Sequence, residues 1–335
     1  MKILIYGAGV IGSTYAVRLA KAGYSVFVYA RGQRLQALEN KGLLYQEGNQ
    51  IKKAPVTILA TVSPLEMFDF IFVTVRYEQV EAALTELATN QSPNIVTMVN
   101  NPHGYAKWED ILGQGKLIPA FPGAGGTIAE DILYSQLTPR IIQPTTFAEI
   151  DGRQTERIKA LAAVFKTSKI PYSISKNMDA WQKSHLAMVL ALANGIYVDG
   201  GNNYTTAKNK AAIRFVSSAL RENFNALRKI GVPIVPAKLN IFWLSPLWVM
   251  NLALRLFYNA KFAETFADGH VQAARGEMEL LDQEFKELLE AKGASIDIAE
   301  YNVVTSMMLA LQCRNFTIVQ FLFIKYENVF AVDAN

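Results

Sequence analysis

Residues 2–30 read KILIYGAGVIGSTYAVRLAKAGYSVFVYA and decide the fold of the first half of the chain. KILIY is a short apolar run that favours a strand. Glycines follow it at once, and an amphipathic stretch then leads to Gly23, where a helix would end. YSVFVYA at 24–30 has the composition of a second strand. The order of strand, glycine turn, helix and strand is typical of a parallel βαβ sheet.

The glycine turn has the spacing GxGxxG, at Gly7, Ala8, Gly9, Val10, Ile11 and Gly12. This spacing alone is common, but between a strand and a helix it indicates the dinucleotide loop of a Rossmann domain. Gly7 permits the tight turn, Gly9 lets the backbone approach a pyrophosphate, and Gly12 lets the helix pack closely on the strand. The N-terminus of the helix then presents N–H groups and a positive dipole end to the phosphates.

The residues after the second strand distinguish between the two nicotinamide dinucleotides. An NAD site needs an acid there for the ribose 2′-hydroxyl, whereas an arginine suits a 2′-phosphate. Residues 30–34 read ARGQR and contain no acid. Arg31 is the expected phosphate contact, because a guanidinium can hold a phosphate at two points. Arg34 is either a second contact or a solvated loop charge. The expected cofactor is NADPH.

The pattern divides the chain into two predicted domains, residues 1–176 and residues 177–335. In the first, further strands are predicted at 56–60, 68–75, 94–100, 116–121 and 170–175, with an antiparallel pair within 140–150. Helices are predicted there at 78–89, 105–112 and 154–166. In the second, helices are predicted at 179–197, 208–230, 266–292 and 299–328. The expected fold class is an α/β Rossmann domain followed by an all-α domain.

Composition excludes several classes of function. Of 335 residues, 51% are hydrophobic and 19% charged, which fits a globular protein rather than a disordered one. The net charge is only +4 and no basic run carries interleaved aromatics, so a nucleic-acid partner has little support. The single Cys313 argues against a cysteine metal site, and no metal is expected. The N-terminus lacks the pattern of a signal peptide, so a cytoplasmic location is expected.

The segment at 239–258, LNIFWLSPLWVMNLALRLFY, is apolar enough to suggest a membrane span. Pro246 interrupts it, and Asn251 and Arg255 are polar. A pair of buried or interface helices broken at Pro246 is therefore favoured over a span. If the segment is exposed, it would serve as a dimer surface or a substrate lid. A homodimer is expected.

Reduction of a ketone needs a proton donor at the carbonyl oxygen, close to the nicotinamide. The helix predicted at 179–197 begins just after the nucleotide domain and carries Trp181, Lys183 and His185. Lys183 is the best single candidate because the helix around it becomes increasingly apolar. A lone helical lysine is, however, more often a surface residue.

Several motifs together resemble the ketopantoate reductase (2-dehydropantoate 2-reductase) family. They are GAGVIGS at 7–13, Arg31, VTVR at 73–76, VNNPHG at 99–104, WQKSHLA at 181–187 and ARGEMELL at 274–281. Their order and spacing agree over nearly the whole chain. The resemblance implies a 6-phosphogluconate dehydrogenase-like two-domain architecture and NADPH-dependent reduction of a 2-oxo acid. For 2-dehydropantoate the product is pantoate, in pantothenate biosynthesis.

The resemblance also implies roles for particular residues. Lys183 corresponds to the proton donor, and Glu277 to a glutamate that orients the lysine and a substrate hydroxyl. Asn101 corresponds to an asparagine between cofactor and substrate. Thr265 stands near a substrate-binding serine of the family, and Arg76 replaces a lysine of the cofactor site.

Two departures concern the substrate. Ala187 and Ala191 stand where the family has asparagines that bind substrate, which favours a larger or less polar substrate. His185 and Asn194 are candidates for replacement contacts, although His185 is equally a candidate for a structural histidine. A related hydroxyacid or opine-like dehydrogenase and a catalytically silent NADPH-binding sensor remain as alternative functions.

Overall fold

The computed structural model describes residues 1–199, 202–264 and 275–294. The chain divides into two compact units, Met1–Gln182 and Lys183–Asn335. Thr265 and the helix predicted at 299–328 lie outside the described residues.

The described strands all lie in the first unit. They are β1 (Lys2–Tyr6), β2 (Ser25–Tyr29), β3 (Leu44–Glu47), β4 (Gln50–Lys53), β5 (Thr57–Leu59), β6 (Phe70–Val73), β7 (Ile95–Met98), β8 (Leu117–Phe121), β9 (Ala124–Ala129), β10 (Ile132–Leu137), β11 (Thr145–Phe147) and β12 (Tyr172–Ile174). Eight of them form one sheet in the order β12-β11-β8-β7-β6-β1-β2-β5. Neighbouring strands are parallel except for β8 and β11. The predicted parallel sheet is confirmed.

Helices cover this sheet because its strands are apolar on both faces, as in β6, where FIFV is wholly buried. The helices of the first unit are α1 (Val10–Lys21), α2 (Gly32–Lys41), α3 (Val80–Leu87), α4 (Ala106–Leu112) and α5 (Glu156–Thr167). Tyr15 of α1 is fully buried, and its hydroxyl lies 2.5 Å from Oγ1 of Thr145. This contact ties α1 to β11.

A second sheet, in the order β4-β3-β10-β9, was missed by the sequence analysis. Its strands have weak patterns: QIKK of β4 is exposed throughout, and AGGTIA of β9 contains two glycines. The predicted antiparallel pair within 140–150 is wrong. RIIQP forms a turn, in which the N–H of Ile142 donates to the carbonyl of Pro139 at 2.9 Å, and β11 instead pairs antiparallel with β8.

In its described part, the second unit contains helices and no strands. They are α6 (Met178–Asp199), α7 (Asn203–Lys208), α8 (Lys210–Lys229), α9 (Ile241–Leu244), α10 (Leu247–Tyr258), α11 (Lys261–Ala263) and α12 (Arg275–Ala291), of which α6 begins in the first unit. Ser245 and Pro246 separate α9 from α10, as predicted. Across the described ranges, no helix has the length and apolar character to cross a membrane.

Candidate active site

The glycine loop between β1 and α1 is built so tightly that two of its positions require glycine. Gly7 has φ of +113°, a conformation that favours glycine. A Cβ on Gly12 would lie 1.9 Å from the carbonyl oxygen of Gly7 and 2.5 Å from Oγ1 of Thr74. That hydroxyl already donates to the Gly7 carbonyl at 2.7 Å. The helix therefore packs directly on the turn, as the GxGxxG motif requires.

Gly9 differs from Gly12 because it has open space beside it. It is the N-cap of α1 with φ of −71°, and a Cβ on it would meet no described atom within 4 Å. No side chain caps this end of α1. The open space and the uncapped N–H groups fit the pyrophosphate of a dinucleotide.

Arg31 and Arg34 occupy different environments after β2. Arg31 is the N-cap of α2; its side chain is 57% exposed, and Nη1 lies 3.4 Å from Oε1 of Glu86. Arg34 is half-buried against the glycine loop, where Nε donates to the carbonyl of Ala8 at 3.0 Å. Burial lowers the pKa of Arg34, against a smaller opposing effect of Asp131. The structure therefore places Arg34 on the loop and leaves Arg31 facing solvent.

Glu86 of α3 is a residue that the sequence analysis missed. Its carboxylate contacts Arg31 through one oxygen and accepts a hydrogen bond from the hydroxyl of Tyr6 through the other. Burial raises the pKa of Tyr6, and the hydrogen bond to Glu86 raises it further. Arg31 thus already has a carboxylate beside it. A 2′-phosphate would have to share Arg31 with Glu86 or displace the Glu86 carboxylate from it.

Asn101 lies in the turn after β7 and holds that turn together. It is buried; its Nδ2 donates to the carbonyl of Gly104 at 2.5 Å, and its Oδ1 accepts from the N–H of His103 at 3.0 Å. Both polar atoms of the side chain therefore have partners within the turn. Arg76, after β6, is exposed as the N-cap of a short 3-10 turn.

Gln182 anchors the start of α6 and was also missed. It is fully buried; its Nε2 donates to the carbonyls of Val99 and Ala120, at 2.8 and 3.2 Å. Its Oε1 accepts from the hydroxyl of Tyr105 at 2.7 Å. Two hydrogen bonds thus fix the residue before Lys183 to the ends of β7 and β8, and a third joins it to Tyr105. A glutamine beside a lysine carries no sequence signal for such an anchor.

Lys183 is buried, with 6% of its surface exposed. It therefore differs from most helical lysines, which lie on the protein surface. Ala187 and Ala191 lie on nearly the same side of α6 and are fully buried. Asn194 is also on that side, but lies about 16 Å from Lys183 along the helix axis. His185 is buried and lies about 160° around the helix from Lys183. The structure therefore does not bring His185 or Asn194 to Lys183.

Glu277 lies in the first turn of α12 and is half-buried. The guanidinium of Arg275, two residues earlier, lies 5.0 Å from the ring centroid of Tyr197. This contact joins the start of α12 to the last turns of α6, whereas Lys183 lies near the first. Thr265, the remaining candidate for substrate binding, falls outside the described residues.

Comparison with known proteins shows which family the first part of the chain resembles. The model of the family described as ketopantoate reductase PanE/ApbA matches residues 3–143. This part of the chain is therefore similar to the ketopantoate reductase family. A 2-dehydropantoate 2-reductase of Mesorhizobium japonicum is 34% identical over 103 residues, which cover 30% of this chain and 32% of that protein. One of Archaeoglobus fulgidus is 33% identical over 167 residues, covering 49% and 53%. The chain thus spans between a third and about half of the length of these two reductases.

Solved structures extend the likeness of fold to nearly the whole chain. A PanE/ApbA family ketopantoate reductase from Ralstonia eutropha JMP134 has a TM-score of 0.73 at 19% identity, covering 94% of this chain and 99% of that one. D-mandelate dehydrogenase, in a ternary structure with NADH and anilino(oxo)acetate, has a TM-score of 0.73 at 13% identity, covering 95% and 99%. At this identity the likeness shows the fold, an α/β unit followed by a helical region.

Proposed function

We propose that this protein is an NADPH-dependent reductase that converts a 2-oxo acid into a 2-hydroxy acid. The proposal is carried by the occurrence of two features in the same chain, whose fold is that of ketopantoate reductases. The first is a glycine loop open at Gly9, with arginines beside it. The second is a lysine buried on α6, at the position of the family's proton donor.

The first unit would hold the cofactor. The N-terminus of α1 receives the pyrophosphate beside Gly9, and Arg31 leaves Glu86 to bind the 2′-phosphate. Arg34 adds positive charge behind the loop, and Arg76 is a further candidate contact. When bound, the cofactor supplies a hydride to C2 of the substrate.

Lys183 would supply the proton. As the carbonyl π bond breaks, the ammonium group of Lys183 donates a proton to the oxygen, and the amine later regains one from solvent. Burial of Lys183 keeps bulk water from competing for that oxygen. Glu277 is proposed to orient a substrate hydroxyl, with Thr265 and Asn101 as further candidate contacts. Asn101 would have to give up a hydrogen bond within its own turn to reach a substrate.

The substrate is proposed to be less polar than 2-dehydropantoate. Ala187 and Ala191 supply no hydrogen bonds, and the nearest side-chain amide on that side of α6 is Asn194. An aromatic oxo acid analogue is bound by the D-mandelate dehydrogenase of similar fold, which supports an apolar group at C3. Turnover of 2-dehydropantoate itself would place the chain in pantothenate biosynthesis instead.

A comparison of two lysine variants tests the proposal. Lys183→Ala is expected to bind NADPH as the unaltered protein does and to lose turnover by at least 100-fold, because general acid catalysis typically contributes 10²–10⁴-fold. Lys176→Ala, at an exposed lysine, is the matched control and should keep full activity. Equal activity of the two variants would overturn the role of Lys183.

The silent sensor is the second candidate, favoured by the two buried alanines and by the engaged amide of Asn101. NADPH binding by the unaltered protein without turnover of any oxo acid would support it. Turnover only when an amine accompanies the oxo acid would indicate an opine-like dehydrogenase. The homodimer expected from the sequence stays a prediction, which light scattering of the purified protein tests.

A further inference from the structure

Helices α9 and α10 expose a set of large apolar side chains that we call the apolar face. Its members, each between 53% and 70% exposed, are Ile241, Leu244, Trp248, Leu252 and Leu256. The last three recur every four residues, so they lie along one side of α10. The opposite side of α10 is buried through Met250, Leu254 and Tyr258.

The fold holds this face outward. The hydroxyl of Tyr258 donates to the carbonyl of Leu192 at 2.7 Å, which fixes the buried side of α10. In α9, the ring of Trp243 lies 3.6 Å from the guanidinium of Arg228. Neither helix can turn its exposed residues inward without losing these contacts. Apolar side chains grouped in this way mark an interaction surface.

A cationic cavity of about 230 Å³ adjoins the apolar face, between α8 and α10. It is lined by Lys210, Ile213, Arg214, Trp248, Asn251, Leu252 and Arg255, and no acidic residue is among them. Trp248 and Leu252 belong to both the cavity and the apolar face. In the described part of the chain, Lys210 and Arg255 form no ion pair. Oδ1 of Asn251 is buried there without a hydrogen-bond partner.

We infer that the apolar face and the cavity bind the surface of an anionic lipid bilayer, with the cavity receiving a headgroup. Apolar residues with tryptophan beside lysine and arginine are typical of helices that lie along a membrane interface. With 12 residues, α10 is about 18 Å long, too short to span the roughly 30 Å hydrocarbon core, so it lies on the bilayer.

Charge favours a bilayer over a second copy of this chain. A two-fold contact through the apolar face would bring two copies of the adjoining cationic cavity into one interface without an acidic residue from either cavity, and like charges repel. An anionic bilayer neutralises Lys210 and Arg255, which form no ion pair within the described residues, and covers the apolar side chains at the same time.

Co-sedimentation of the full chain with vesicles tests the inference. Binding to phosphatidylcholine vesicles containing phosphatidylglycerol is expected to be at least tenfold tighter than to phosphatidylcholine alone, and to weaken with added salt. Arg255→Gln should reduce partitioning roughly fivefold, as expected for one interfacial cation. Trp248→Ser should reduce it further, and its 70% exposure means that folding is retained, which circular dichroism checks.

The matched controls lie in the first unit. Arg140→Gln and Ile141→Ser alter an exposed arginine and an exposed isoleucine that belong to neither the apolar face nor the cavity, so they should leave partitioning unchanged. Inorganic phosphate at millimolar concentration should not displace the protein from vesicles, since it cannot cover the apolar face. Absent or charge-independent binding, displacement by phosphate alone, or a dimer that Trp248→Ser converts to monomer would each overturn the inference.

Discussion

Two glycines of the same loop are expected to differ in how alanine affects the stability of the fold. At Gly12 an added Cβ would lie 1.9 Å from the Gly7 carbonyl oxygen, well inside van der Waals contact, and 2.9 Å from Cγ2 of Ile5. The obstructing oxygen is backbone, so the loop and α1 must move apart. At Gly9 the added Cβ meets no described atom within 4 Å, and φ of −71° suits alanine.

The magnitudes follow from this geometry. Gly12→Ala should lower the free energy of unfolding by about 3 kcal/mol, the upper end of the range for overpacking, because the clash is with backbone. Gly9→Ala should change it by less than about 0.5 kcal/mol, as for an exposed substitution. It should nevertheless weaken NADPH binding at least tenfold, or about 1.4 kcal/mol, since the methyl group occupies the space proposed for the pyrophosphate.

Urea unfolding and calorimetric titration of NADPH measure the two effects separately. The account predicts that Gly9→Ala loses binding with unchanged stability, whereas Gly12→Ala loses both. A Gly9→Ala protein that binds NADPH as tightly as the unaltered protein would refute the assignment of the space beside Gly9. A Gly12→Ala protein of unchanged stability would refute the packing argument.

Three further substitutions test other parts of the structure. Arg31→Ala should raise the Kd for NADPH at least tenfold and leave the Kd for NADH nearly unchanged, because only NADPH carries the 2′-phosphate. Equal losses of affinity for the two dinucleotides in the same titration would contradict this. Ala187→Asn introduces the asparagine of the resembled family at a fully buried position. Because the larger side chain overpacks the site, thermal unfolding should show a loss of about 1–3 kcal/mol in the free energy of unfolding. Unchanged stability would show that the site has room. Glu149→Gln should cost about 2 kcal/mol at neutral pH, whereas Glu156→Gln, at an 89% exposed carboxylate, should cost almost nothing.

The Glu149 prediction carries a pH dependence. Burial raises the pKa of Glu149, but hydrogen bonds from Arg157 and Thr155 outweigh it and bring the pKa below the ordinary 4.5. A carboxyl whose pKa is lowered by folding stabilises the protein above its unfolded pKa. The contribution of Glu149 should therefore be complete above pH 4.5 and decline as the pH falls below it. Urea unfolding between pH 3 and pH 7 should show this decline in the unaltered protein and less of it in Glu149→Gln.

Sequence alone predicted the strands and helices whose apolar residues follow a clear pattern. β1, α1 and β2 follow directly from KILIY, the glycine spacing and SVFVY, because strands buried on both faces must be apolar. The second sheet escaped prediction because its strands are polar or rich in glycine. RIIQP has apolar residues but forms a turn, with Ile141 84% exposed.

The candidate site was only partly predictable, because several of its contacts join distant positions. Glu86 lies 55 residues from Arg31, and nothing local to α3 marks it as a partner. Gln182 acquires its role from carbonyls 83 and 62 residues away. Burial of Lys183 likewise depends on packing that helical periodicity alone does not specify. Sequence motifs proposed Arg31 and Lys183 as candidates, whereas the contacts of Arg31 and the burial of Lys183 became visible only in the structure.

The central claim is reduction of a 2-oxo acid with NADPH, and initial rates of NADPH oxidation test it most directly. The purified protein would be given 2-dehydropantoate and a series of 2-oxo acids of increasing apolar size, each with NADPH and with NADH. The account predicts turnover with NADPH preferred over NADH, and faster reduction of the bulkier apolar acids than of 2-dehydropantoate. Tight NADPH binding with no turnover of any oxo acid would contradict it.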